Sequence, residues 1–91
     1  MNINEEDPGS ATERGRALKE AYLTELMSKE NVVGVGVGFQ EKDGQKTDTV
    51  ALVVMVERKI PESLLAPEDL LPHEIEGFPV DVQEVGMIRA F

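Results

Sequence analysis

The chain has 91 residues, 41% of them hydrophobic, with 18 acidic against nine basic side chains and a net charge of -9. That length holds one small domain, since domains run from about 50 to 250 residues. The negative charge repels phosphate backbones and anionic membranes, which sets nucleic acid and membrane surfaces aside as partners, and the absence of cysteine removes disulfides, thiolate metal sites and thiol nucleophiles.

In chain order, residues 1–9 are polar, contain Pro8-Gly9 and show no periodicity, so they are expected to form a disordered or docking tail ahead of a single domain over residues 10–91. The acidic start has no apolar run that a secretory signal would need. The longest apolar stretch, Val50 to Val56, covers seven residues, against about 20 for a spanning helix, so a cytoplasmic protein is expected. Ser10-Ala11-Thr12-Glu13 has capping-box spacing and predicts a helix start. Leu18, Ala21, Tyr22, Glu25, Leu26 and Lys29 follow at helical spacing, Leu23 and Met27 widen the apolar face, and Asn31 suits the left-handed stop. Gly15 weakens the first turn by about 1 kcal/mol relative to Ala.

From Asn31 to Phe39 the period switches to two. Val33, Val35, Val37 and Phe39 point one way while Gly34, Gly36 and Gly38 point the other. Thr49 to Glu57 predicts a second strand, apolar on both faces and therefore central. Asp43-Gly44 between them is a hairpin turn signal. With that pair in the turn, residue i opposes residue 87 minus i, so that Val33, Val35 and Val37 face Val54, Leu52 and Val50. On the other face Gly34, Gly36 and Gly38 oppose Val53, Ala51 and Thr49, a surface nearly free of side-chain bulk. Either the chain's own helix or another subunit is expected to pack there, and these six residues are the candidate interaction site.

Ile60 to Pro72 contains three prolines and can hold only short helical turns, with Pro61 and Pro67 placed to start them. Gly77-Phe78-Pro79 leads into a third strand over Val80 to Val85, and the connection of about twenty residues is long enough for a parallel crossover. The expected fold class is therefore α+β: a helix, a β-hairpin and a crossover strand (α-β-β-short α-β) in a three-stranded mixed sheet. Charge follows this layout. Residues 1–30 carry -3, residues 31–59 are neutral, and residues 60–91 carry -6.

Chemistry is sparse. His73 is the one histidine, with Glu74 and Glu76 beside it and no second His or Cys to complete a metal site. Of the serines, Ser63 has only the distant His73 as a base, and none sits in a nucleophile elbow. The glycines alternate with valines and run into a hairpin, whereas a phosphate cradle needs a turn feeding a helix. Glu41, Asp43 and Asp48 are too few and too close to Lys42 and Lys46 for a calcium loop. The carboxylates Glu68, Asp69, Glu74 and Glu76 would need burial at set separations for acid-base work. No catalytic residue, cofactor or metal is expected.

The series Asn31-Val-Val-Gly-Val-Gly-Val-Gly-Phe39, Val53-Val-Met-Val-Glu-Arg-Lys59, Leu71-Pro72 and Ile75-Glu-Gly-Phe-Pro-Val-Asp-Val-Gln-Glu-Val-Gly86 resembles the amino-terminal module ahead of the catalytic domain in a group of bacterial trypsin-like serine peptidases, related to the plant Narrow leaf type. Where that family tends to have Pro-Thr-Asp-Val, this chain has Val80. The resemblance implies an accessory module without catalytic residues of its own. A chain of this size buries only about 60 to 65% of its unfolded surface, so partners add useful burial. The expected function is non-enzymatic self-assembly or protein binding as a homo-oligomer or filament; the alternative is a propeptide-like regulator or chaperone of a separate peptidase domain.

Overall fold

The computed structural model describes residues 8–86. Helix α1 (Pro8–Met27) is followed by strands β1 (Val32–Lys42) and β2 (Gln45–Val56), two single-turn 3-10 helices at Glu62–Leu64 and Pro67–Asp69, and strands β3 (Glu74–Ile75) and β4 (Phe78–Glu84). The α+β class stands, but the sheet has four strands, not three, in the order β1-β2-β4-β3. The sequence reading lacks β3 because two residues carry no period, although Glu76 and Gly77, both at positive φ, make the tight turn that joins it to β4. β4 runs parallel to β2, as the crossover length predicts. Pro61 and Pro67 open the two 3-10 turns in that crossover.

α1 begins at Pro8, ahead of the expected start at Ser10. Pro8 and Gly9 therefore belong to the helix, since the fixed φ of proline suits a first helical turn; the rest of the expected tail lies outside the described residues. The helix also ends earlier than the expected residue 30, with the Ser28 amide donating to the Thr24 carbonyl at 3.1 Å. Asn31 does adopt a positive φ of 78°. Its side chain brackets Arg58, accepting from the Arg58 amide at 3.3 Å and donating to the Arg58 carbonyl, which ties the start of β1 to the end of β2.

Asp43 and Gly44 form the hairpin turn with φ of 53° and 78°. The expected register holds only beside the turn, where Glu41 pairs with Lys46 and Lys42 with Gln45. Beyond it, Gln40 faces the stretch Thr47 to Thr49, and this bulge moves every later pair: Val37 faces Leu52, not Val50, and Val35 faces Val54. Thr47 stitches the bulge, its hydroxyl donating to the Gln40 carbonyl at 2.9 Å and accepting from the Thr49 amide at 3.2 Å. The slip is even, so faces are kept although partners change. A second irregularity between Val32 and Gly34 turns Val32 toward the core and leaves Val33 43% exposed.

One apolar cluster holds the layers together: Leu18 and Leu26 of α1, Val35, Leu52, Val54, Val56, Ile75, Phe78 and Val80, with Tyr22, Val37 and Val50 at its margin. α1 therefore covers the valine face of the sheet. The expectation that it could pack on the glycine face is corrected: leaving the valines in water would forfeit about 25 cal/mol for each Å² of apolar surface. Gly15 lets the helix come close, because a Cβ there would stand 2.9 Å from Val37 Cγ1 and 3.1 Å from the Phe78 ring. Arg14 and Tyr22 fasten the helix to the β3-β4 turn. Arg14 donates to the Glu76 carbonyl at 3.1 Å and lies 5.3 Å from the Phe78 ring centre; Tyr22 donates to the Glu76 carboxylate at 3.0 Å.

Candidate interaction surface

The glycine face is built by neighbouring strands. Gly34 pairs with Met55, Gly36 with Val53 and Gly38 with Ala51, two residues along from the expected partners Val53, Ala51 and Thr49. Thr49 lies in the bulge, exposed and apart from the glycines. What approaches the glycines closely is β2 itself: a Cβ on Gly34 would stand 2.9 Å from Met55 Cε, and one on Gly38 would stand 3.5 Å from Val53 Cγ2. Ala51 and Val53 are buried, so of the six candidate residues these two offer a partner little surface. Asp81 closes the same side, accepting from the Glu41 amide and from the Gln83 carboxamide, each at 2.9 Å. The Glu41 bond joins the outer end of β1 to β4 across β2.

β1 also forms an edge of the sheet. Among the described residues it pairs only with β2, so alternate residues turn their amide and carbonyl groups away from the sheet. From Val32 to Gln40 this edge carries no charge and no proline, and Phe39 is 44% exposed near its far end. The helix adds to it. On α1 the buried stripe runs Gly15, Leu18, Tyr22, Leu26; Arg14, one position before it, reaches Glu76 and Phe78 on the β3-β4 side. Residues one position after the stripe, rotated by about 100°, therefore face the β1 side. These are Arg16, Lys19, Leu23 and Met27, and the last two are 37% and 42% exposed.

No reacting constellation is assembled from the candidates for chemistry. His73 and Ser63 are exposed, and His73 Nε2 stands 3.3 Å from Glu62 Oε1. Glu41 sits 3.9 Å from Lys46. Asp69 accepts from the Glu30 amide at 2.9 Å, and the Glu68 carbonyl accepts from Lys29 at 2.8 Å, so both bind the crossover to the end of α1. A crevice of about 380 Å³ lies beside β4, lined by Arg58, Lys59, Asp69, His73 and Asp81 among others. Its two aspartates are engaged in the backbone contacts just described. No three His, Asp or Glu side chains among the described residues are placed to share a metal ion. The Tyr22 hydroxyl is pushed above its ordinary pKa, first by its hydrogen bond to Glu76 and then by that carboxylate's negative charge. Among the described residues no helix is long and apolar enough to cross a membrane.

Sequence reasoning singled out the glycine face as the candidate site and read Leu23 and Met27 as part of the helix's apolar face; it did not place either feature beside the β1 edge. The signal was present in the order of elements: a hairpin whose second strand is central leaves its first strand outermost. A family model described as the NARROW LEAF 1 N-terminal domain matches residues 16–88, and the chain belongs to that family. No curated protein matches it.

Proposed function

We propose that this NARROW LEAF 1 N-terminal domain is a non-enzymatic interaction module that assembles with copies of itself. The observation that carries the reading is the outer edge of β1, a run from Val33 to Phe39 whose outward side has no strand partner among the described residues and no charge or proline to discourage pairing. Strand addition to such an edge gains main-chain hydrogen bonds without a pocket. A small core benefits further from burial between subunits. In a longer protein the same module would sit ahead of a trypsin-like peptidase domain, as the sequence resemblance implies, and would gather copies of that domain. Light scattering from micromolar to millimolar protein tests the reading: a mass above one chain that grows with concentration is expected, and a monomer throughout contradicts it.

A second reading, a propeptide-like regulator of a separate peptidase, draws support from one feature. Leu64 projects from the Pro-bounded crossover with 75% of its surface exposed, a shape that suits insertion into another protein's cleft. Binding to a separately produced peptidase domain, weakened by Leu64→Asp, is expected on this reading; no binding at low salt removes it.

A further inference from the structure

The partner at this edge is identified by the strand's own sequence. We infer that β1 pairs antiparallel with β1 of a second copy about a two-fold axis at Gly36, giving one continuous eight-stranded sheet. The inference rests on the assembly reading and deepens it by naming the surface and the occupant.

The run Val33-Gly34-Val35-Gly36-Val37-Gly38-Phe39 reads the same in both directions apart from its last residue. Antiparallel pairing centred on Gly36 places Val35 opposite Val37 of the second copy, Gly34 opposite Gly38, and Gly36 opposite its equivalent. Opposed residues in a ladder share a face, so valines continue the face that α1 covers and glycines continue the other. The hairpin bulge and the irregularity at Val33 bracket this run, which limits the regular ladder to the symmetric segment. Because the contact is isologous it closes at two copies.

Charge favours the same occupant. Each copy carries -9, so copies must meet where acidity is least. Residues 60–91 carry -6 of that charge, and residues 60–84 of this stretch form the crossover and the far side of the sheet. The β1 edge is uncharged from Val32 to Gln40, and the helix flank beside it offers Arg16 and Lys19 with Glu20 on its outer rim. A two-fold at Gly36 brings two such flanks together on one side of the sheet, running in opposite directions. Leu23 and Met27 of each helix then face a neighbour and leave water, while the acidic halves point away from one another.

A disulfide test uses the lack of native cysteine. A Cβ at Gly36 meets only Met55 Cε, at 3.9 Å, and the residue's backbone is not left-handed, so Gly36→Cys fits the monomer. Across an antiparallel ladder opposed Cα atoms stand about 4.5 to 5.5 Å apart, inside the range of about 4.4 to 6.8 Å that a disulfide spans. Under mild oxidation Gly36→Cys is expected to cross-link nearly completely, while Asp48→Cys, on the exposed bulge of β2, does not. The double substitution Val33→Lys and Phe39→Lys on exposed positions is expected to raise the dimer dissociation constant at least about a hundredfold, with circular dichroism unchanged. An oligomer that ignores both substitutions overturns the edge and leaves the assembly reading standing. A monomer at every concentration overturns both. Outward β1 amides protected from exchange in a dilute monomer would assign the edge to another segment of the same chain and overturn the second-copy inference.

Discussion

The two sides of this sheet end in opposite ways. On the far side β3 has two residues, the Val80 amide donates to the His73 carbonyl at 3.0 Å and so extends that pairing into the crossover, and the Lys59 amide donates to the Glu84 carboxylate at 2.8 Å, tying the start of the crossover to the end of β4. Glu74 and Glu76 add charge there. β1 is 11 residues long, pairs with β2 alone among the described residues, and is uncharged until Glu41. Short strands, covering loops and charge are the usual means of blunting an edge. These features are concentrated on one side, and the β1 edge from Val32 to Gln40 has neither charge nor proline, which is the contrast the proposed pairing rests on.

The largest expected effect strikes the strand that joins the two sides. Leu52 is fully buried in β2, so Leu52→Ala is expected to cost about 2 to 5 kcal/mol in urea unfolding, with both edges lost in one transition. The edges separate under charge. Lysine at Val33 and Phe39 should abolish the dimer, whereas Glu74→Lys on the blunted side should leave the mass unchanged; both sets should move monomer stability by no more than about 0.5 kcal/mol, as surface changes do. Gly15→Ala sharpens the role of the helix that spans β1 and β2. Alanine improves helix propensity by about 1 kcal/mol, but the added methyl meets Val37 and Phe78, and overpacking costs about 1 to 3 kcal/mol. A lower melting temperature is expected.

Smaller effects follow from charge alone. Raising salt shortens the screening length from about 30 Å at 0.01 M to about 8 Å at 0.15 M, so a dimer of two chains at -9 each should tighten with salt by analytical ultracentrifugation. On the blunted side, the Tyr22-Glu76 hydrogen bond raises the tyrosine pKa. Its stabilising effect is complete below the unfolded tyrosine pKa and is lost as pH climbs through the higher folded value. Glu76→Gln should bring the ultraviolet titration of Tyr22 back toward 10.0, its ordinary value.

Much of the fold was legible in the residues: the helix from its 3.6 period, the hairpin from Asp43-Gly44, the parallel crossover from its length. Register was not, because a bulge held by one threonine hydroxyl, that of Thr47, leaves no periodic trace. The glycines misled for a related reason. Alternating glycine signals clearance without naming what fills it, and the filler proved to be Met55 and Val53 on the adjacent strand. Gly15 reads in sequence as a weak point in the helix, and only the packing of α1 against Val37 and Phe78 shows it to be a point of contact.

Amide hydrogen exchange across Val33 to Phe39, followed as protein concentration rises, tests the unblunted edge most directly. The outward amides of β1 should exchange rapidly in dilute protein and become protected in step with dimer formation, while those bonded to β2 stay protected throughout. Rapid exchange of the outward amides at concentrations where the mass is dimeric would contradict the account.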